Sequence, residues 1–426
     1  MLRLFTLKRL LIASLALIYR GFTLTYETPR ANADRLRLID LGKRRFDHVL
    51  LFADQAKKLP TELNAHRLIN FVNEGGNVLL AAGSTLPESV RNFATQFGVF
   101  FEERGSHVID HFGFEHTLDT GRHTVLATTE RATKPASLAH LFGGEPTAAP
   151  VLYQGIGHVS SANPMLSRVL SAGPTAYSAE TVDSQVVDEE PAATGHELGL
   201  VSVFQARNNA RVTFSGSRAL FSDKYFATPV KYGADKSTKE FPQSGNKEFA
   251  ERIAKWTLQE AGVLRVIGTH HERADAATVK RDGGYRVKDN VTFSIEIAEF
   301  DGQDWKPYNA DDVQLEVIML DPYVRTTLSQ EAPRKDATSS VFSTTFQLPD
   351  TFGVFTFRVR YNRPGYSWID DAREVPVRPF RHDEFPRFLS VAYPYYTGAS
   401  SVMVGFAVFS FVWLYHRDPA TPAKRK

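Results

Sequence analysis

The stretch that decides the fold runs from Phe46-Asp47-His48-Val49-Leu50-Leu51-Phe52 to Val78-Leu79-Leu80-Ala81-Ala82. Val49 to Phe52 and Val78 to Ala82 are short, continuous apolar runs, as expected of strands buried on both faces. Between them, Leu63, Arg67, Leu68 and Phe71-Val72 recur at helical spacing, and Gly75-Gly76 offer the left-handed backbone that ends a helix. Pro87 then opens another helix, at a favoured first-turn position, and Gly98 closes it. Further on, Arg211-Val212-Thr213-Phe214-Ser215 is strand-like. Lys247 to Glu260 sets Phe249, Ile253 and Trp256 on one helical face, with Gly262 as its cap. Buried strands alternating with helices predict an α/β domain over 19–262, built on a mostly parallel sheet with helices on both faces.

Beyond residue 263 the period changes to two. Val291, Phe293, Ile295 and Ile297 alternate with polar neighbours, as do Val313, Leu315, Val317 and Met319. Phe342, Thr344, Phe346 and Leu348 form a third run, and Phe355, Phe357, Val359 and Tyr361 a fourth. Antiparallel strands with one face on a core read this way, so 263–378 is expected to be a β-sandwich. Residues 379–396, rich in Arg, Phe and Pro, read as a connector. Gly398 to Tyr415 carries no charge, and the reading places a membrane helix at 397–415. Tyr393, Tyr395 and Tyr396 at one end and Trp413 and Tyr415 at the other suit the two lipid interfaces. In the tail, 416–426, His416, Arg417, Lys424, Arg425 and Lys426 face a single Asp418, which assigns that tail to the cytosol.

Composition excludes several functions. The net charge of +2 lacks the basic excess of a nucleic-acid binder, so no nucleic-acid partner is expected. The chain has no cysteine, hence neither disulfides nor a thiolate nucleophile. No G-x-S-x-G, P-loop or G-x-G-x-x-G is present. Asp110, His111, Glu115 and His116 resemble a metal cluster, but a five-residue His spacing directs the two rings apart on helix or strand alike. His270-His271 reads as a solvated pair at the domain junction. The adjacent acids Asp311-Asp312 and Asp370-Asp371 point apart. No catalytic residue, metal or cofactor is therefore assigned.

Two features remain. Asn290-Val291-Thr292 is a glycosylation sequon at the start of a strand, which makes Asn290 a possible glycan acceptor. In Gln205-Ala206-Arg207-Asn208-Asn209-Ala210-Arg211, two arginines bracket two asparagines just before a buried strand. The asparagines suit a tight turn. Arg207 or Arg211 is expected to be held by a carboxylate or carbonyl, as a structural or interface residue alongside Tyr393, Tyr395 and Tyr396.

The segment Gln205 to Ser217, with Phe221-Ser222-Asp223, resembles the DDOST family, the non-catalytic subunit of oligosaccharyltransferase. Asn73 to Ser84, Val108 to His111, Glu260 to Val266 with His270 to Arg273, Asp321 to Thr326, Tyr361 to Tyr366 and Tyr393 to Tyr396 are similar to further stretches of that family. The resemblance implies an amidotransferase-like α/β domain, a β-sandwich and one membrane helix. It implies a single-pass type I protein of the endoplasmic reticulum, with its bulk lumenal and its C-terminus cytosolic. Such a chain would help a complex transfer a preassembled high-mannose oligosaccharide from dolichyl diphosphate to Asn in Asn-X-Ser/Thr. The implied partners are the catalytic oligosaccharyltransferase subunit, ribophorin-like subunits, the small defender-against-death subunit and membrane lipid. The rival readings are a type I carbohydrate-binding or receptor protein of the secretory pathway, and an enzyme in the α/β domain.

The N-terminus departs from the family pattern. Lys8 and Arg9 precede an apolar run, Leu10 to Ile18, so residues 1–18 read as a signal-like segment or as a buried amphipathic helix. Leu4 to Tyr19 has helical composition, and the reading finds no strand before it. The sheet is then expected to lack one parallel strand, as in a shortened form of the family's chain.

Overall fold

The computed structural model describes residues 2–5, 18–28, 33–53, 59–144, 148–182, 185–186, 191, 193–232, 239–275, 284–332, 338–385 and 390–417. In the first domain, Leu24–Glu27, Leu2–Phe5, His48–Phe52, Asn77–Ala81 and Arg211–Ser215 lie side by side in that order, all parallel. From Arg211–Ser215 outward the sheet turns antiparallel, through Gly199–Gln205, His158–Ser160 and Val99–Phe101. The switch follows from connection length. Gly199–Gln205 returns through a turn whose Asn209 takes a left-handed φ of 64°, and a connection that short joins only antiparallel strands.

The expected gap in the sheet is not there. Leu2–Phe5 pairs on one side with Leu24–Glu27 and on the other with His48–Phe52. Leu4 and Phe5, read from composition as the start of a helix, are strand residues, and their backbone supplies the partners the neighbouring strands need. The signal-like run Leu10 to Ile18 lies, apart from Ile18, outside the described residues.

Alternation within the buried strands covers both faces of the sheet. Val49, Leu51, Val78, Leu80, Val212 and Phe214 face one core with Phe71 and Phe93 from the helices Ala65–Asn73 and Glu88–Thr95. Leu50 and Leu79 face the other, with Phe249, Ile253 and Trp256 of the helix Asn246–Thr257. That last helix ends at Thr257, and the left-handed residue after it is Gln259 (φ 62°). Gly262, read as its cap, is also left-handed, but it serves the domain junction.

Two antiparallel-rich sheets form the second domain. One contains Val263–Arg273, Asn290–Phe300, Ser340–Gln347 and the short Ser329–Gln330 and Trp305–Pro307. The other orders Tyr285–Arg286, Ile369–Arg378, Gly353–Tyr361, Gln314–Met319 and Asp321–Thr327. Their alternating apolar faces enclose Val291, Phe293, Ile295, Leu315, Phe355 and Phe357. Ile369–Arg378 escaped the sequence reading because charges dilute its period: only Ile369, Val375 and Val377 are buried along it. His270-His271 lies within the strand Val263–Arg273: His270 is exposed, as expected, whereas His271 is half-buried, with Nδ1 2.8 Å from the Tyr285 hydroxyl.

The helix Tyr393–Tyr415 has 23 residues and none of them is buried. At 1.5 Å per residue it is about 35 Å long, enough to cross a hydrocarbon core of about 30 Å. Tyr393, Tyr395 and Tyr396 form its first turn, so the connector is shorter than the sequence suggested.

One buried group gives the first domain a pH dependence. His158 is fully buried, with Nε2 2.7 Å from Ser202 Oγ and its ring edge-on to Phe101. Burial pushes its pKa down to about 3. The folded chain therefore keeps His158 neutral where an unfolded one, titrating near ~6.5, takes up a proton. Stability is retained above about pH 6.5 and lost as pH falls toward 3, by ~1.4 kcal/mol per pH unit from this group. Denaturation between pH 7 and 5 should show a shallower fall for His158→Gln than for the parent. Equal slopes would assign the acid sensitivity elsewhere.

Candidate functional site

The bracketed Arg-Asn-Asn-Ala-Arg segment sits where the two domains meet. Arg211, the first residue of its strand, has no exposed surface. Its guanidinium donates from Nη1 to the carbonyls of Trp256 (2.7 Å) and Ala261 (2.6 Å), and from Nη2 to those of Gly262 (2.6 Å) and Gly365 (3.5 Å). The cation also lies over the Trp256 indole, 4.8 Å from its centre. Its partners are carbonyls, one of them, that of Trp256, in the last turn of the helix Asn246–Thr257, where the helix dipole favours a cation. Burial lowers its pKa to about 9, which still leaves it charged at neutral pH.

Each asparagine has a distinct task. Asn208 donates to the carbonyls of Val72 (2.9 Å) and Asn73 (2.8 Å), closing the helix Ala65–Asn73, and accepts from the Ala210 N–H. Asn209 reaches into the second domain. Its Oδ1 accepts from the Trp368 N–H (2.7 Å) and its Nδ2 donates to the Trp368 carbonyl (3.3 Å). Gln205 Nε2 donates to the Tyr366 carbonyl (2.7 Å), and Trp256 Nε1 to that of Gly365 (2.7 Å). Ser367 N–H donates to the Gly262 carbonyl (2.9 Å). The loop Asn362 to Trp368 is thus held by the first domain through directed hydrogen bonds. Gln205, Trp256, Gly262, Gly365 and Trp368 were not singled out as site residues from sequence. Trp256 and Gly262 were legible only as a helix face and its cap, and the others only by lying in or beside stretches shared with a known family.

The remaining sequence candidates divide. Arg207 is exposed, with no ion pair among the described residues. It borders a cavity of about 260 Å³ with Gln205, Trp256, Arg363 and Trp368. Asn290 is exposed at the start of its strand, and Thr292 bonds Thr345. Asp110 accepts from Phe112 N–H, Gly113 N–H and Thr175 Oγ, and the buried Glu115 from Thr117 and the Lys231 N–H. Among the described residues no group of three or more His, Asp or Glu is placed to hold a metal. Asp312, half-buried, accepts from the Tyr361 hydroxyl (2.9 Å) and Arg363 Nε (2.6 Å).

What the geometry can do is hold: it locks two domains together above one membrane-length helix, which fits a single-pass membrane-anchored protein. The comparisons with known proteins agree in extent and order. Residues 11–260 match the family described as OST48, N-terminal domain, and residues 270–417 match the OST48 middle domain. The chain belongs to the OST48 family. It is 38% identical over 400 residues to the dolichyl-diphosphooligosaccharide–protein glycosyltransferase 48 kDa subunit of Arabidopsis thaliana, covering 93% of this chain and 87% of the relative. The protein of the same name from Danio rerio is 37% identical over 401 residues (94% and 87%), and that from Caenorhabditis elegans 38% over 407 (95% and 87%).

Proposed function

We propose that this chain is an accessory subunit of an oligosaccharyltransferase, the complex that moves a preassembled high-mannose oligosaccharide from dolichyl diphosphate to Asn in Asn-X-Ser/Thr. The observation that carries the reading is similarity to 48 kDa glycosyltransferase subunits over 93% of the chain, through both domains and up to the end of the apolar helix. The chain works as a scaffold, without transfer chemistry of its own. The junction around Arg211 keeps the two domains in one orientation, so that partner surfaces on both are presented together. Its partners in this reading are the catalytic subunit, ribophorin-like subunits and the small defender-against-death subunit.

Purification of the tagged full chain in a mild detergent tests the assignment. Recovery of a catalytic oligosaccharyltransferase subunit is expected, as is lower N-glycan occupancy when the chain is depleted. A chain that purifies alone, with occupancy unchanged, would overturn it. The topology follows from the charge around the helix: residues up to about Pro394 lie in the lumen of the endoplasmic reticulum and 416–426 in the cytosol. Protease added to sealed microsomes should trim only the tail. Digestion of the α/β domain would reverse the orientation.

A further inference from the structure

The sandwich has two unlike ends. Val263, Tyr361 and Ile369 lie at the end that meets the α/β domain, and strand pairing places Arg273, Gly353 and Arg378 at the other. The strand Ile369–Arg378 therefore leads away from the first domain and toward the membrane helix. Residues 379–385 do not extend from there but fold back. Arg378 holds Glu384 through two bonds of 2.6 and 2.7 Å, Arg286 covers the Phe380 ring, and Phe380 meets Phe385. Only four residues, 386–389, separate this packed segment from Ser390, where the apolar helical stretch begins. Five residue steps reach at most about 18 Å. The far end of the sandwich is therefore tied close to the start of the membrane helix.

That same end carries exposed apolar side chains. Leu320 forms the turn between Gln314–Met319 and Asp321–Thr327 and is 99% exposed. Pairing of Ile318 with Thr356 brings it level with Val354, which is 58% exposed, and Phe352 next to it is 63% exposed. Tyr323, edge-on to Phe355, adds a further exposed ring, and Phe385 in the folded-back segment is exposed too. Large apolar side chains from separate turns converging at one exposed end mark an interaction site. Leu320 stands on a hairpin tip. A tip of this form suits a soft apolar medium, where aromatic and aliphatic side chains enter the headgroup boundary while Asp321 and Asp350 stay in water.

We propose that Leu320, Tyr323, Phe352 and Val354 dip into the interface of the bilayer that Tyr393–Tyr415 spans. The sandwich then stands on the membrane, and its strands, of ten and eleven residues, hold the α/β domain some 30 Å above it. This rests on the reading of Tyr393–Tyr415 as a membrane-spanning helix.

The absence of cysteine makes the test direct. Single variants Leu320→Cys, Phe352→Cys, Leu41→Cys and Val408→Cys of the full chain, each carrying a nitrobenzoxadiazole label, are placed in phosphatidylcholine nanodiscs with or without doxyl-labelled lipid. Labels at 320 and 352 should shift to the blue and lose fluorescence to the doxyl lipid. The label at 41, on an exposed turn of the α/β domain, should do neither. Labels at 320 and 352 as wet as that at 41 would overturn the proposal, and so would a blue shift without lipid quenching, which means a protein contact. The label at 408 separates the two readings. Quenching at 408 but not at 320 and 352 refutes the interface contact alone, whereas no quenching at 408 removes the membrane helix and the contact with it.

Discussion

Arg211→Ala should lower the stability of the purified full chain by about 3 kcal/mol, while Arg207→Ala should change it by less than about 0.5 kcal/mol. The contrast follows from where the two side chains lie. Arg211 is wholly buried, and its removal takes a charged donor from the carbonyls of Trp256, Ala261 and Gly262, although Trp256 keeps the Gln259 N–H and Gly262 the Ser367 N–H. A hydrogen bond to a charged group is worth about 1 kcal/mol or more, so the three short bonds lost from the guanidinium set the size of the loss. Trp256 also loses the cation stacked on its ring. Arg211→Lys should recover only part of the loss, since one ammonium cannot reproduce the planar fork that spans these acceptors. Denaturant titration followed by tryptophan fluorescence measures all three variants. Equal midpoints for Arg211→Ala and Arg207→Ala would mean that the buried cation contributes nothing to holding the domains.

The second large effect is expected at the backbone contact below that cation. Gly262 has a φ of 65°, and a Cβ there would stand 2.6 Å from the Gly365 carbonyl oxygen. The obstacle is backbone, so no rotamer relieves it. Gly365 has little freedom to yield: its own φ is 88°, and a Cβ on it would meet Leu141 at 2.6 Å. Gly262→Ala should cost about 3 kcal/mol, combining left-handed strain of ~1–2 kcal/mol with the displaced loop. Gly75→Ala separates the two contributions. Its φ of 86° is as unfavourable, but nothing lies within 4 Å, so the loss there should be only ~1–2 kcal/mol. Limited proteolysis gives a second readout, because Gly262→Ala should open the junction to cleavage and Gly75→Ala should not. Similar stabilities for the two variants would remove the argument for close backbone approach between the domains.

Much of the architecture was legible in the chain itself. Continuous apolar runs report strands covered on both faces, alternation reports strands covered on one, and a long uncharged segment reports a helix that no water-facing surface suits. These are local properties, set by which side chains recur on which face, and they placed His48–Phe52, Asn77–Ala81, four sandwich strands and the apolar helix from 397 to 415, though not its first turn from Tyr393. A turn at Asn208-Asn209 was legible for the same reason. Other features depended on partners distant in sequence. Leu2–Phe5 is a short segment with a basic residue in it, and only its two neighbours in the sheet make it a central strand. The helix that Asn208 closes ends 135 residues earlier, and the Trp368 backbone that Asn209 holds lies 159 residues later. Arg211 and Arg207, four positions apart, flank the same turn, and although Arg211 heads a strand-like run, nothing local says which of the two is buried. Strand direction separates them: Arg211 begins the strand that enters the sheet beside the end of the helix Asn246–Thr257, while Arg207 stays outside on the turn. Composition and periodicity determined what each segment can bury. Tertiary structure decided which polar groups are buried with it, because a hydrogen-bond partner supplied by another domain leaves no trace in the local pattern.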